Sequence, residues 1–430
     1  MPRDARGLAL AVLEAALGPA RRPAEEAFHA LAARTRLAPR DRAFARRLYA
    51  TVFRRLGELD RTIDRFCPRP PRRRLVRQIL RLGLVQLVHL GTPPHAAVAE
   101  TVALARRVAP PYGGFVNAVL RRAARERPEP LAGEAAVRAN TPAWLLESWT
   151  AAFGEARALA VGRVHLEEPP LDLRPLSDAE GWAARLGGVL LPTGVVRLPA
   201  TRPVEDLPGY AEGAWIVQDL AAGLPARLLA PDAGARVLDL CAAPGGKTVQ
   251  LAAAGARVVA VDVSAARLGR LRANLARTGL AARVEVVTAD ARTFTPAEPF
   301  PFVLLDAPCT ATGTIRRHPD VPWRRKPGDV ARMAALQDEL LDAAVRALAP
   351  EGRLVYAVCS LQPEEGEARV DAFLRRHPGL AVEPIRPEEL AGLPATVTAA
   401  GFVRTFPSDP AERGGMDGFF VARFRRLARG

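Results

Sequence analysis

The stretch RVLDLCAAPGGKTVQLAAAGARVVAVD, from Arg236 to Asp262, decides the fold. It starts with the short apolar run RVLDL, turns through two glycines into the alanine-rich segment KTVQLAAAG, and ends in a second apolar run, RVVAVD. The runs RVEVV, PFVLLD and RLVYAVCS continue the alternation, with helical patterns between them. Strands that alternate with helices predict an α/β fold with a doubly wound, mostly parallel sheet of the Rossmann-like type.

The N-terminal third has a different pattern. From residue 5 to about residue 127, apolar residues recur every three or four positions with arginines between them, and prolines separate the segments. This predicts an all-α domain over residues 1–128. A linker and small mixed α/β region over 129–214 is expected next, with TPAWLLESWTAAFG helical and VVRLPA a short strand. The α/β domain is expected to occupy residues 215–430.

The positive charge lies almost wholly in the predicted helical domain. The chain has 61 basic and 46 acidic residues, a net charge of +15. Residues 1–128 contain 26 arginines and 10 acids, a charge of +16, so 35 basic and 36 acidic residues remain in the rest. An arginine-rich composition alone would spread the excess evenly. We therefore expect a basic module that binds a polyanion such as nucleic acid.

Other features exclude several classes of protein. No apolar run is long enough for a signal peptide or a membrane span, so no membrane partner and a cytoplasmic location are expected. The cysteines, Cys67, Cys241, Cys309 and Cys359, form no CxxC pair, which argues against a disulfide framework and a zinc site. We expect no metal.

Acidic residues follow successive strands, where ligands bind in such sheets. Asp262, Asp290 and Asp306 stand at the ends of three predicted strands, and Gly245 and Gly246 allow the backbone to approach a ligand closely. A nucleotide-triphosphate loop would need glycine at the position of Cys241. A lone strand-end aspartate is more often a helix cap, but three of them favour a nucleoside cofactor without phosphate, and S-adenosylmethionine fits.

Two of the four cysteines follow strands in similar contexts, VLLDAPC and LVYAVC. Methylation of carbon 5 of cytosine needs a thiolate that adds to carbon 6, an acid at the ring edge, and a group for elimination. Cys309 and Cys359 end neighbouring predicted strands, with Asp306 three residues before the first. Single free cysteines are usually small buried hydrophobes, but this combination predicts a reactive site. The spacing does not say which thiol attacks.

These residues resemble a known family. The motifs DLCAAPGGKT, VDVS, TAD, DAPCTATGTIRRHPD and YAVCSLQPEEGE, with WIVQDLAAG before and GGMDGFFVARF after them, resemble the RNA 5-methylcytosine methyltransferases of the NOL/NOP2/Sun type. PPHAAVAETVALARR and GGFVNAVLRR resemble the NusB-like RNA-binding domain. The pairing is typical of the bacterial enzymes that act on cytosine in 16S ribosomal RNA.

The resemblance implies roles for individual residues. Cys359 would be the nucleophile, Cys309 would assist release, Asp306 would hold the cytosine edge, and Lys247 would join the catalytic group. Val358 stands where the family commonly has threonine, and Thr310 where it often has serine. The implied cofactor-binding residues are Cys241, Ala242, Ala243, Pro244, Gly245, Gly246, Lys247, Asp262, Arg267, Asp290 and Asp306.

A basic run follows Cys309 directly. Basic side chains interleaved with an aromatic suit a single RNA strand that presents an unstacked base, and a solvated basic loop is the alternative. His318 in this loop is more readily a phosphate contact, or simply an exposed side chain, than a general base. The acids of PEEGE, after Cys359, are expected to begin a helix. The predicted RNA-binding residues are Arg316, Arg317, His318, Trp323 and Arg324.

Together these features predict an enzyme that transfers a methyl group from S-adenosylmethionine to carbon 5 of a cytidine in small-subunit ribosomal RNA, as a monomer. The same chemistry on transfer RNA or on another ribosomal cytidine is one alternative. A catalytically silent NusB-like RNA-binding or assembly module is another, and the intact cysteines and cofactor motifs argue against it. A small-molecule or protein methyltransferase is a third, and the basic N-terminal domain argues against that.

Overall fold

The computed structural model describes residues 2–69, 71–199, 203–393, 396–410 and 413–428. The chain folds into two compact units. The helical unit contains the residues up to Glu167 together with Ile315–Lys326, and the sheet unit contains Glu168–Thr314 and the residues from Pro327 onward. The sequence-based boundaries at 128 and 214 stay a prediction; in the structure residues 129–167 belong to the helical unit and residues 168–214 to the sheet unit.

Helices of the described residues begin at recognisable sequence signals. Asp4 caps the first helix by accepting a hydrogen bond from the Gly7 N–H (2.7 Å), and prolines occupy the first turns of several others. None of these helices is both long and apolar enough to cross a bilayer. In chain order they are α1 (Ala5–Leu17), α2 (Ala24–Ala32), α3 (Pro39–Arg54), α4 (Leu56–Phe66), α5 (Arg74–Val88), α6 (Pro94–Val108), α7 (Gly113–Glu126), α8 (Gly133–Asn140), α9 (Ala143–Phe153), α10 (Glu155–His165), α11 (Ala179–Leu186), α12 (Leu224–Leu229), α13 (Gly246–Ala253), α14 (Ala265–Arg277), α15 (Val321–Arg324), α16 (Pro327–Ala347) and α17 (Glu367–Arg376).

Strands begin only after the helical N-terminal region, as predicted. In chain order the described strands are β1 (Leu171–Pro175), β2 (Val189–Leu191), β3 (Val195–Leu198), β4 (Trp215–Val217), β5 (Arg236–Leu240), β6 (Arg257–Asp262), β7 (Val284–Thr288), β8 (Phe300–Asp306), β9 (Leu348–Val358), β10 (Leu380–Val382), β11 (Thr396–Val397), β12 (Val403–Arg404) and β13 (Phe420–Arg426).

The larger sheet has a parallel centre and an antiparallel edge. Its order among the described residues is β11-β12-β13-β9-β8-β5-β6-β7, with β10 paired to β13. The pairs from β9 through β8, β5 and β6 to β7 are parallel, and β13 runs antiparallel to β9. The predicted doubly wound, mostly parallel sheet is confirmed. Because the parallel strands end at one edge, the loops after β5, β6, β7, β8 and β9 meet there.

A small antiparallel sheet precedes it, in the order β2-β3-β1-β4. The predicted strand VVRLPA is β3. A buried ion pair between Arg197 and Asp172 (2.6 Å) links β3 to β1, and Asp172 also accepts a hydrogen bond from the Leu220 N–H (3.1 Å). The acid thereby joins the small sheet to the segment that leads into the larger one.

Residues Ile315–Lys326, which we call the strap, form part of the helical unit. Trp323 packs against the core of that unit, and its indole N–H donates to the Phe53 carbonyl (2.8 Å). The Asp320 carboxylate accepts a hydrogen bond from the Ala24 N–H (3.0 Å) at the start of α2, where the N-cap residue is Pro23 and offers no side-chain acceptor. The strap therefore supplies both packing and a helix cap that residues 1–167 lack on their own.

Replacing Trp323 with alanine is expected to destabilise the helical unit by about 2–4 kcal/mol, because a large side chain packed on the core is removed together with its hydrogen bond. Hydrogen–deuterium exchange of the amides in α2 to α4 measures this local stability. The control Arg121→Ala, at an exposed position of α7, is expected to cost less than about 1 kcal/mol. Unchanged protection in Trp323→Ala would mean that the strap is not needed by this unit.

Candidate active site

The loop after β5 brings backbone groups to the ligand edge of the sheet. Cys241 and Gly245 adopt left-handed conformations, with φ of 61° and 108°. A Cβ on Gly245 would lie 2.2 Å from the Leu271 side chain, so only glycine fits there. Gly246 begins α13, and the N–H groups of that helix start lie in the predicted cofactor loop, Cys241–Lys247.

Asp262 and Arg267 lie beside this loop. One carboxylate oxygen of Asp262 accepts from the Ala243 N–H (3.1 Å) and the other from the Ser264 N–H (2.8 Å). The Arg267 guanidinium is 3.8 Å from the Asp262 carboxylate and donates to the Ala243 carbonyl. Two of the predicted cofactor residues are thus in contact with the loop.

Asp290 lies after β7, at the next strand end. It is paired with Arg292 (2.6 Å), and that hydrogen bond lowers the pKa of Asp290 below its ordinary value. Its carboxylate is therefore ionised at neutral pH and remains partly open to solvent, as a contact for a polar ligand group requires.

Asp239 is a buried acid that the sequence-based prediction did not include in the site. One of its oxygens accepts from the Thr248 hydroxyl (2.6 Å), and the other is buried without a partner among the described residues. Burial raises the pKa of Asp239 to about 7. An acid that interrupts the apolar run RVLDL was the available sequence signal. An orphaned buried acceptor beside the glycine loop and Asp262 fits a cofactor that brings hydrogen-bond donors and positive charge, as S-adenosylmethionine does.

Lys247 and Asp306 form an ion pair at the end of β8. The ammonium lies 2.7 Å from the carboxylate and 5.2 Å from the centre of the Phe419 ring. The lysine side chain is nearly buried, whereas that of Asp306 keeps 31 % of its surface exposed. The two predicted residues are therefore in contact. The exposed part of the Asp306 carboxylate remains available to bind a ligand.

Cys309 and Cys359 come together at the ends of β8 and β9. Their sulfurs are 3.4 Å apart, within hydrogen-bonding distance for thiols. Cys309 is buried and Cys359 is half-buried. The hydrogen bond with Cys359, together with burial, raises the pKa of the Cys309 thiol well above its ordinary value. Cys309 is consequently a protonated thiol at neutral pH, next to a more accessible one.

The PEEGE acids lie at helix starts, as predicted, but the burial of Glu365 was not part of that prediction. This residue lies in the single turn Pro363–Glu365 and is fully buried, while α17 begins at Glu367. Its carboxylate accepts hydrogen bonds from Thr310 and Ser360, the residues that follow the two cysteines. Burial raises the pKa of Glu365. An acidic run in the sequence resembles a solvated helix start, so no local signal distinguished this acid from its neighbours.

The structure revises the interpretation of three predicted RNA-binding residues. Arg316 is buried, Trp323 packs into the helical unit, and Arg324 is paired with Asp320 (2.6 Å). Their side chains are occupied within the protein, so they are not open stacking or phosphate contacts in this structure. Arg317 is exposed and His318 half-buried, and their role as RNA contacts stays a prediction.

Asp239 is expected to make stability depend on pH. Its folded pKa lies above the unfolded value near 3.8, so the folded state holds the proton more tightly and loses stability as the pH rises toward 7, by at most about 1.4 kcal/mol per pH unit. In urea unfolding without cofactor, the free energy of unfolding of Asp239→Asn should rise relative to that of wild type as the pH increases to about 7. Above that pH the difference should stay constant. Asp232→Asn, at an exposed position, serves as the control. Parallel curves for wild type and Asp239→Asn would contradict the raised pKa.

Comparisons with known proteins agree with this architecture. A family model described as NusB family matches residues 3–125, and one described as 16S rRNA methyltransferase RsmB/F matches residues 226–425. The crystal structure of PH0851 superposes with a TM-score of 0.80 at 24% identity, covering 99% of this chain and 100% of that one, and supports the fold.

Sequence relatives extend over most of the chain. Ribosomal RNA small subunit methyltransferase B of Salmonella arizonae is 38% identical over 395 residues, which cover 85% of this chain and 90% of that protein. The protein of the same name from Klebsiella pneumoniae is 39% identical over 409 residues, 90% of this chain and 91% of that protein. With both family regions present and the cofactor edge intact, the chain belongs to the RsmB/F family of S-adenosylmethionine-dependent 16S rRNA methyltransferases.

Proposed function

We propose that the protein methylates carbon 5 of a cytidine in 16S ribosomal RNA through a covalent adduct with Cys359. The observation that carries the proposal is the pair of sulfurs 3.4 Å apart at the ends of β8 and β9, in the loops that follow Asp306 and Val358. S-adenosylmethionine, when bound, supplies an electrophilic methyl group. The methyl transfer itself does not need two adjacent thiols. Activation of the cytosine does, because carbon 5 becomes nucleophilic only after a thiolate has added to carbon 6.

Cys359 is the proposed nucleophile because it is the more accessible thiol of the pair. It loses its proton to solvent and adds to carbon 6, which makes carbon 5 an enamine carbon able to accept the methyl group. The open side of the Asp306 carboxylate binds the cytosine edge during this step. Lys247 holds the Asp306 carboxylate in place through their ion pair.

Cys309 assists the release of the product. Its thiol transfers a proton to the departing Cys359 sulfur, and the Cys309 thiolate then takes the proton from carbon 5. A thiolate whose conjugate acid has a raised pKa is a strong base, which suits this second transfer. At the end both thiols are restored, the cytidine carries the methyl group, and the single proton released is the one that Cys359 lost at the start.

The helical unit is proposed to supply affinity for RNA, and a cytoplasmic site of action follows from such a substrate. Several arginines before and within α3 are exposed, among them Arg34, Arg36 and Arg47. Exposed arginines bind phosphates without regard to sequence, and extrusion of one base into the cysteine site would add selectivity. Transfer RNA, or another cytidine of ribosomal RNA, remains the alternative substrate for the same chemistry.

Substitution of each cysteine separates the two roles. With S-adenosylmethionine and unmodified 16S RNA, Cys309→Ala is expected to accumulate a protein–RNA adduct on denaturing gels, because addition proceeds but release does not. Cys359→Ala is expected to give neither adduct nor methylated cytidine. Cys67→Ala, a buried cysteine of the helical unit, is the control and should retain wild-type methylation.

Two other outcomes would change the proposal. An adduct in Cys359→Ala and none in Cys309→Ala would exchange the roles of the two thiols. If wild type methylated no cytidine in any cellular RNA, the catalytically silent RNA-binding module would replace the enzyme.

The triple variant Arg34→Gln/Arg36→Gln/Arg47→Gln tests the helical unit without removing the surface on which the strap packs. RNA binding should weaken, and the slope of log affinity against log salt should become shallower by about 0.7–0.9 for each phosphate that the variant no longer binds. Arg138→Gln is the matched control, because Arg138 is already paired with Glu134 and Glu155. Equal slopes in the triple variant and the control would place RNA affinity elsewhere.

A further inference from the structure

One carboxylate joins the loops that follow both cysteines. Thr310 comes directly after Cys309, and Ser360 directly after Cys359. The Glu365 carboxylate accepts hydrogen bonds from the Thr310 N–H (2.8 Å), from the Thr310 hydroxyl, and from the Ser360 hydroxyl (2.5 Å). The two loops are therefore tied to the same pair of oxygen atoms.

Glu365 is itself held firmly. Gln337, on α16, donates to its carboxylate (3.1 Å), and the Tyr356 hydroxyl, on β9, donates to its carbonyl (2.7 Å). Gln337, Tyr356 and Glu365 are fully buried, so water does not compete for these hydrogen bonds. A carboxylate whose own position is fixed from two elements can transmit that position to the loops it binds.

Hydroxyl contacts complete the connection between the loops. The Thr312 and Ser360 hydroxyl oxygens are 3.2 Å apart, and the Leu361 N–H donates to Thr312 (3.0 Å). The Gly313 N–H donates to the Cys359 carbonyl (3.1 Å). Removal of Glu365 would leave these weaker interactions to hold the two loops together.

We propose that Glu365 is a positioning residue that sets the distance between the Cys309 and Cys359 thiols by binding Thr310 and Ser360. It acts through these neighbours and not on the substrate. The proposal rests on the proposed function of the two thiols for its catalytic consequence, but the geometric part stands on the hydrogen bonds alone.

The charge of Glu365 matters as well as its shape. An ionised carboxylate only accepts hydrogen bonds, and four donors converge on its two oxygens: one N–H and one hydroxyl of Thr310, the Ser360 hydroxyl and the Gln337 amide. In Glu365→Gln one oxygen becomes an NH₂ group that must face donors. The oxygen that accepts from the Thr310 N–H and the Gln337 amide can be kept, so the NH₂ group faces the Thr310 and Ser360 hydroxyls. These hydroxyls must then accept instead of donate, and each loop loses a charge-assisted hydrogen bond while the side-chain volume is kept.

A trivalent arsenical measures the thiol pair without any RNA or cofactor. Phenylarsine oxide forms two arsenic–sulfur bonds with adjacent thiols, and its oxygen leaves as water with the two thiol protons. Wild type is expected to bind it, and Glu365→Gln to bind it at least about tenfold more weakly. Cys309→Ala and Cys359→Ala give the affinity for single thiols, which is the background. Glu364→Gln, at the exposed neighbouring position, should bind as wild type does.

Activity provides the second readout. Glu365→Gln should lower kcat for methylation at least about tenfold, with the affinity for S-adenosylmethionine unchanged, since Glu365 binds Thr310, Ser360 and Gln337, which are not among the implied cofactor-binding residues. If Glu365→Gln does not fold, Thr310→Val and Thr310→Ser replace it, because the first loses the hydroxyl that binds Glu365 and the second restores it. Thr310→Ser is then expected to recover both arsenical affinity and kcat.

The outcomes separate this inference from the proposed function. Arsenical affinity and kcat equal to wild type in Glu365→Gln, or equal values in Thr310→Val and Thr310→Ser, would overturn the positioning role. A wild type that binds the arsenical through both thiols but methylates no cytidine would overturn the proposed function. The positioning role of Glu365 would then be decided by the arsenical affinity of Glu365→Gln relative to wild type.

Discussion

The parallel pairing of β8 with β9 is the constraint on which the site depends. The register places Asp306 beside Ala357, so the loops that carry Cys309 and Cys359 leave the sheet side by side. Because side chains alternate between the faces of a strand, a slip of one residue would turn Asp306 away from the ligand edge and separate it from Lys247. Apolar side chains on both strands, buried on both faces of the sheet, hold this register.

Around this pair, the site keeps several acids close together and stabilises each differently. Asp262 accepts two backbone N–H groups, Asp306 is paired with Lys247, and Asp290 with Arg292. Asp239 is buried so deeply that its proton is retained up to about pH 7. Each acid is thus stabilised by its own partner or by a retained proton, and the four differ in charge although they lie at the same edge of the sheet.

The strap belongs to the helical unit although it lies far from the rest of that unit along the chain. The chain leaves the sheet unit after Thr314, contributes Asp320 and Trp323 to the helical unit, and returns at Pro327. Deletion of the N-terminal domain would therefore remove the proposed RNA-binding surface and also expose the apolar side of the strap. Charge-changing substitutions on the surface avoid this difficulty.

The sequence by itself determined what depends on local patterns. Strand–helix alternation predicted the doubly wound sheet, the glycines and strand-end acids predicted the cofactor edge, and two cysteines in matching contexts predicted a shared site. Only the tertiary structure decided which polar residues are buried and with what partners. Glu365 lies in an acidic run that looks solvated, and Trp323 lies in a basic run that looks like an RNA contact, yet both are engaged within the protein. The physical reason is that burial and hydrogen-bond partners come from residues far away in the chain, such as Thr310 for Glu365 and Phe53 for Trp323, and no periodicity or spacing within a segment records them.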